Sequence, residues 1–149
     1  MNFNHTKIYP LISLSLLIFL SFTFAYQFVN NLSVLFFIKN FYGQICHQIE
    51  SRSFFINGKP LLICARCTGI LLGSFILFVL LSFLKNLRYL INQIDYKKVF
   101  IFLLPLFIDW LINFSFKIET TNFVRFLTGI LFSFVPVYFL NTLIFNSKS

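Results

Sequence analysis

The chain has 149 residues, of which 58% are hydrophobic, 21% aromatic and only 11% charged. The surface of a soluble domain of this length needs more charge, so the balance excludes one and points to a single unit of the membrane class. The formal charge of +8 comes from basic residues scattered between apolar runs. That pattern suits membrane flanks and anionic headgroups, and it excludes nucleic acid as a partner in favour of the lipid bilayer.

The first apolar run, Ile8 to Val29, is long enough at about 1.5 Å per residue to cross about 30 Å of hydrocarbon. A rival reading is a cleavable signal peptide, with Lys7 ahead of a Leu11–Phe22 core and a cut at Thr23-Phe24-Ala25. The run continues apolar past that cut, so a span is expected. Leu32 to Phe41 is too short to cross, and is expected as an interfacial helix or a packed connector. In the polar stretch 46–60, Asn57-Gly58 is a strong turn signal because both residues tolerate positive φ. Arg52–Ile56 and Lys59–Ile63 flank it as the arms of a small hairpin, which would carry Cys46 towards Cys64.

The second span is expected over about 61–84, where Ala65, Gly69 and Gly73 form a small-residue stripe for close helix packing. A basic loop, Lys85 to Lys98, leads to a third span over 99–116. Pro105, Asp109 and Asn113 share one face of that span. After a short link, Lys117 to Thr121, a fourth span covers 122–145. Asn122, Arg125, Thr128 and Gly129 share a face in its first turns, and Pro136 is a candidate kink. The expected fold is therefore an all-α integral membrane protein of four transmembrane helices, with a short Cys/His loop, folded as a hairpin, at one membrane face. The basic middle loop places both termini in the cytoplasm, in the cell membrane, with the thiols outside.

Three cysteines occur, and all lie between Cys46 and Cys67. Cys64 and Cys67 stand three apart at the start of a helix, so both sulfurs can reach one ion or each other. The helix N-terminus and Arg66 both favour thiolate. With Cys46 and His47 they make up to four donors, the set zinc commonly takes, though the metal's identity is left open. Cys46 and His47 are adjacent, which makes joint binding of one ion awkward. Three protein ligands completed by water, Glu50 or Asp109 fit as well. His5 has no supporting neighbours. Topology gathers His47, Arg66, Asp109, Glu119 and Arg125 at the same face. An ionisable group inside a span costs about 2.5–3.5 kcal/mol to insert, so Asp109 and Arg125 are expected either to pair with each other or to serve a substrate.

The residues Cys46-His47-Gln48, Arg52-Ser53-Phe54 and Cys64-Ala65-Arg66-Cys67-Thr68-Gly69 with Gly73 resemble the signature of a family of small prokaryotic membrane proteins, domain of unknown function 2085. Asp109 and the run Asn122-x-x-Arg125-x-x-Thr128-Gly129 resemble its second signature. The resemblance implies a multispanning membrane protein and marks Gln48, Arg52 and Asn122 as further polar site candidates. It also implies Gly after the Asp and a Thr-Gln pair beyond, where this chain has Trp110 and Asn113-Phe114.

Three functional classes follow. The first is a membrane protein with a metal site at Cys46, His47, Cys64 and Cys67. The second is a membrane thiol–disulfide oxidoreductase, with Cys64 and Cys67 as the active pair and Cys46 as a shuttle thiol. The third is a small transporter or lipid-binding protein using Asp109 and Arg125. Neither a Gly-rich phosphate loop nor a serine triad pattern is present. The sequence leaves open whether the chain is an enzyme, what its substrate is and whether it forms a homo-oligomer.

Overall fold

The structure, a computed structural model, describes residues 7–29, 31–116 and 120–146, without the side chains of 116, 145 and 146. The expectations for His5 and Glu119, and most of the link after the third span, fall outside the described residues. Helix α1 (Ile8–Ala25) buries Tyr9, Ser13, Leu20 and Thr23. Their spacing of four, seven and three makes one stripe, which packs on helix α3 (Ala65–Phe83). The opposite face exposes Leu11, Leu14, Ile18 and Phe22, an apolar surface suited to lipid. Among the described residues four helical stretches, 8–28, 65–83, 96–115 and 122–144, are long and apolar enough to cross a membrane. The chain is an all-α integral membrane protein with four transmembrane helices.

Helix α2 (Leu32–Gly43) has 12 residues, too few to cross; its N-cap Asn31 side chain accepts from the Ser33 amide. The Tyr42 hydroxyl reaches back to the Phe19 carbonyl at 2.8 Å, so the C-terminal end of α2 is fastened to α1. A 3-10 turn over Glu50–Arg52 then leads into strands β1 (Ser53–Ile56) and β2 (Lys59–Cys64). They pair antiparallel around Asn57 (φ 50°) and Gly58 (φ 76°). The hairpin corrects two boundaries. Arg52 belongs to the turn rather than the strand. Leu61 to Cys64, expected inside the second span, are strand, because Ser53 pairs with Cys64 and the helix starts only at Ala65.

α3 meets helix α7 (Asn122–Phe132) backbone against backbone. A methyl group on Gly69 would collide with the Phe126 carbonyl, and one on Gly129 with the Arg66 carbonyl. The small-residue stripe is therefore a packing seam. Beyond α3, the expected basic loop is largely helix: α4 (Lys85–Asn92), then α5 (Tyr96–Val99). Arg88, expected as a loop cation, is buried. Its guanidinium caps the end of α3 through the Leu81 and Ser82 carbonyls and lies 4.8 Å over the Tyr9 ring.

The third span starts three residues earlier than Val99 and passes through a 3-10 stretch, Phe100–Leu103, before helix α6 (Leu104–Phe116). Pro105 has no N–H for the Ile101 carbonyl, which accounts for the tighter turn. The fourth span is α7 followed by α8 (Phe134–Asn146). The break at Ser133 follows Phe132, the carbonyl that Pro136 would clash with and cannot satisfy. Two buried clusters mark the two ends. Tyr9, Phe78, Leu81, Ile91, Val99, Val137 and Tyr138 form one, and Tyr42, Cys46, Leu62 and Ile63 the other.

Candidate functional site

The second cluster leads to the thiols. The end of α2 hands the chain to Cys46, whose amide donates to the Tyr42 carbonyl at 2.9 Å. Gln48 then takes φ 50° and donates to the Lys39 carbonyl at 2.8 Å, reversing the chain. The hairpin brings β2 back so that the Cys64 amide donates to Cys46 Sγ at 3.2 Å. Cys67 stands in the first turn of α3. The sulfurs of Cys46, Cys64 and Cys67 all lie within 4.8 Å of one another, with Cys46 buried and the other two half-buried. Hydrogen bonds from the Cys64 and Cys67 thiols, and from the Cys64 amide, lower the Cys46 pKa well below the ordinary thiol range, against the opposing effect of burial.

Polar side chains from α6 and α7 complete the floor. The Arg66 guanidinium pairs with the buried Asp109 carboxylate. Asn113 Nδ2 donates to Asp109 Oδ1 at 3.2 Å, and Asn113 Oδ1 accepts from Arg125 at 3.2 Å. Asn122 donates to the Ser53 carbonyl at 3.0 Å, tying α7 to the hairpin, and its Oδ1 lies 3.5 Å from Arg125 Nη1. The pairing of Asp109 with Arg125, one of two readings of these groups, is corrected: the described ion pair of Asp109 is with Arg66. Arg66, next to Cys67 in the first turn of α3, faces α6.

These groups surround a cavity of about 360 Å³. Cys46, Cys64 and Cys67 line one side, and His47, Arg52, Arg66 and Arg125 line it as well. His47 is exposed and stands outside the triangle of sulfurs. Gln48 and Asn122 shape the backbone around the cavity, and Asp109 stands behind its wall. Ile45, Ile49, Trp110 and Asn113 also line it and were not singled out as site residues. The signal for Asn113 was present in its spacing from Asp109. Trp110 had none, because a tryptophan in a span is ordinary membrane-interface composition.

The chain is similar in sequence to known proteins. The family model described as a predicted membrane protein, DUF2085, matches residues 46–139. An uncharacterized protein of Methanocaldococcus jannaschii is 33% identical over 110 residues, 70% of this chain and 67% of that protein. An uncharacterized protein of Methanothermobacter thermautotrophicus is 35% identical over 86 residues, 58% of this chain and 75% of that one. No solved structure matches. With the match running from the first cysteine through the arginine of α7 into α8, the chain belongs to the DUF2085 family of predicted membrane proteins.

Proposed function

We propose that Cys46, Cys64 and Cys67 hold one metal ion, zinc before others, at the outer face of the cytoplasmic membrane. One observation carries this reading: three sulfurs from two places in sequence lie within 4.8 Å of one another. Zinc–thiolate bonds of about 2.3 Å at tetrahedral angles put sulfurs about 3.8 Å apart, a contraction of less than about 1 Å from that bound. The hydrogen bonds that lower the Cys46 pKa favour thiolate, the form a metal ligand takes. Three thiolates leave a four-coordinate ion one exchangeable position on the cavity side, open to water or to the exposed His47. The charge bias of the loops supports cytoplasmic termini and an outward-facing site.

Elemental analysis of the detergent-purified protein, with a thiol count after denaturation in chelator, tests this. About one ion per chain with three free thiols is expected. No ion and a single free thiol would replace it with the thiol–disulfide reading, in which Cys64 and Cys67 are the active pair and Cys46 the shuttle thiol.

A further inference from the structure

We infer that the end of the bundle built from α4 and α5 seats the headgroups of anionic phospholipids, held by Lys85, Lys97 and Lys98 with Lys7 beside them. The inference is independent of the thiol site, which lies at the opposite end, and of which leaflet each end faces.

The chain visits this end repeatedly. α1 starts there after Lys7, α3 finishes there at Phe83, and α4 and α5 lead from it into the third span. Tyr9, Leu81, Ile91 and Val99 are buried together beneath these junctions, and each of the four lysines stands within about one helical turn of one of them. All four lysines are exposed, and none makes an ion pair among the described residues. Asp95 is the one acid at this end among the described residues, and its carboxylate accepts from the Lys97 amide as the cap of α5. Arg88 is withdrawn by burial and by its bonds to the Leu81 and Ser82 carbonyls. The opposite end differs. There Arg66 pairs with Asp109, and Arg125 bonds to Asn113 and Asn122, so those cations are engaged within the protein.

Charge complementarity defines the partner as an anion, and the neighbours of the lysines define it as a lipid. Lys85 follows the exposed Phe83 and Leu84, and Lys97-Lys98 stand just ahead of the exposed Phe100 and Ile101. A water-borne polyanion would leave those apolar side chains wet. A phospholipid sets acyl carbon against them and phosphate against the ammonium groups, which long lysine stems can reach. α4 repeats the division across its own width: it packs on α8 with Arg88 and Ile91 buried, and it exposes Lys85, Tyr89 and Leu90. Tyr89, with Tyr96 at the start of α5, is exposed and of the aromatic type that settles at headgroup level. Near an anionic surface each such lysine strengthens attraction about fivefold.

The test uses the full chain reconstituted in phosphatidylcholine bilayers, with electron spin resonance of spin-labelled lipids to separate protein-immobilised from bulk lipid. At about 0.05 M salt, labelled phosphatidylglycerol is expected to associate about threefold more strongly than labelled phosphatidylcholine with the same chains. The preference should fall away at about 1 M salt, where charges are screened within about 3 Å. Combined Lys85→Gln, Lys97→Gln and Lys98→Gln should bring the two lipids to parity, with the thermal midpoint of the detergent-solubilised chain unchanged. Lys39→Gln with Lys59→Gln, at exposed positions near the thiols, should leave the preference in place. If the triple variant folds poorly, Lys85→Gln and Lys97→Gln alone should each lower the preference, and no effect from either overturns the inference. Equal association of the two lipids with the unmodified chain at low salt also overturns it. So does a preference that survives the triple substitution, or one that vanishes with Lys39 and Lys59 instead.

Discussion

The Arg66 guanidinium and the Asp109 carboxylate form a side-chain ion pair that joins the first turn of α3 to the middle of α6, next to Cys67. Asp109 is 3% exposed, so its charge is compensated by Arg66 and Asn113 rather than by water. Removing one partner leaves an uncompensated charge. Asp109→Asn is expected to destabilise the protein by about 3 kcal/mol in denaturant titrations of the detergent-solubilised chain. Combining it with Arg66→Gln should cost less than the sum of the single changes. Additive losses would show that the pair is not coupled.

The glycine seam makes a second prediction. Alanine at Gly69 or Gly129 would drive a methyl group into a backbone carbonyl of the facing helix. Each is expected to cost about 1–3 kcal/mol, read as a lower thermal midpoint. Gly43, at the end of α2, has only the Gln48 side chain at 3.8 Å, and alanine there should be neutral or slightly stabilising.

The thiols make a third. Serine at Cys46, Cys64 or Cys67 should each lower zinc affinity well over a hundredfold in chelator competition, since each removes one of the three proposed ligands. His47→Ala should keep about one ion per chain, because the histidine lies outside the sulfur triangle. Loss of the ion in His47→Ala would make it a full ligand.

The turn of the hairpin makes a fourth. Gly58 holds φ 76°, and Gly58→Ala should cost about 1–2 kcal/mol from that backbone conformation alone, since nothing crowds the site. The hairpin delivers the Cys64 amide to Cys46, so zinc affinity should fall together with stability. At the far end, Arg88→Met should cost about 3 kcal/mol by stripping the Leu81 and Ser82 carbonyls of their donors, and it should leave the ion content unchanged.

Much of this was legible in the chain. Hydropathy alone separates four spans because a bilayer needs long apolar runs, and Asn57-Gly58 marks its turn because few other pairs accept those angles. The hairpin was readable as a means of bringing Cys46 to Cys64, and the 3.2 Å contact shows that it does. The partner of Asp109 was not readable. Arg66 and Arg125 both end up at one face, and only the rotation of α3 against α6, set by the α3–α7 seam, decides between them. Arg88 looked like loop charge because the amphipathic pattern of α4 is only two turns long. Trp110 entered the site through tertiary packing, which leaves no periodic trace.

The seam between α3 and α7 also determines which wall of the cavity is able to move. Helices that touch through side chains can roll and slide as rotamers change, but carbonyls set against glycines have no such slack. Arg66 and Arg125 stand about one turn from Gly69 and Gly129 and are thus mounted on a single stiff post. Asp109, Trp110 and Asn113 ride on α6, which is held to that post at this end by the Arg66–Asp109 and Arg125–Asn113 contacts. Any widening of the cavity on that side is a swing of α6 away from the post. The two arginines therefore stand on the fixed side of the cavity, and α6 forms the side with freedom to move.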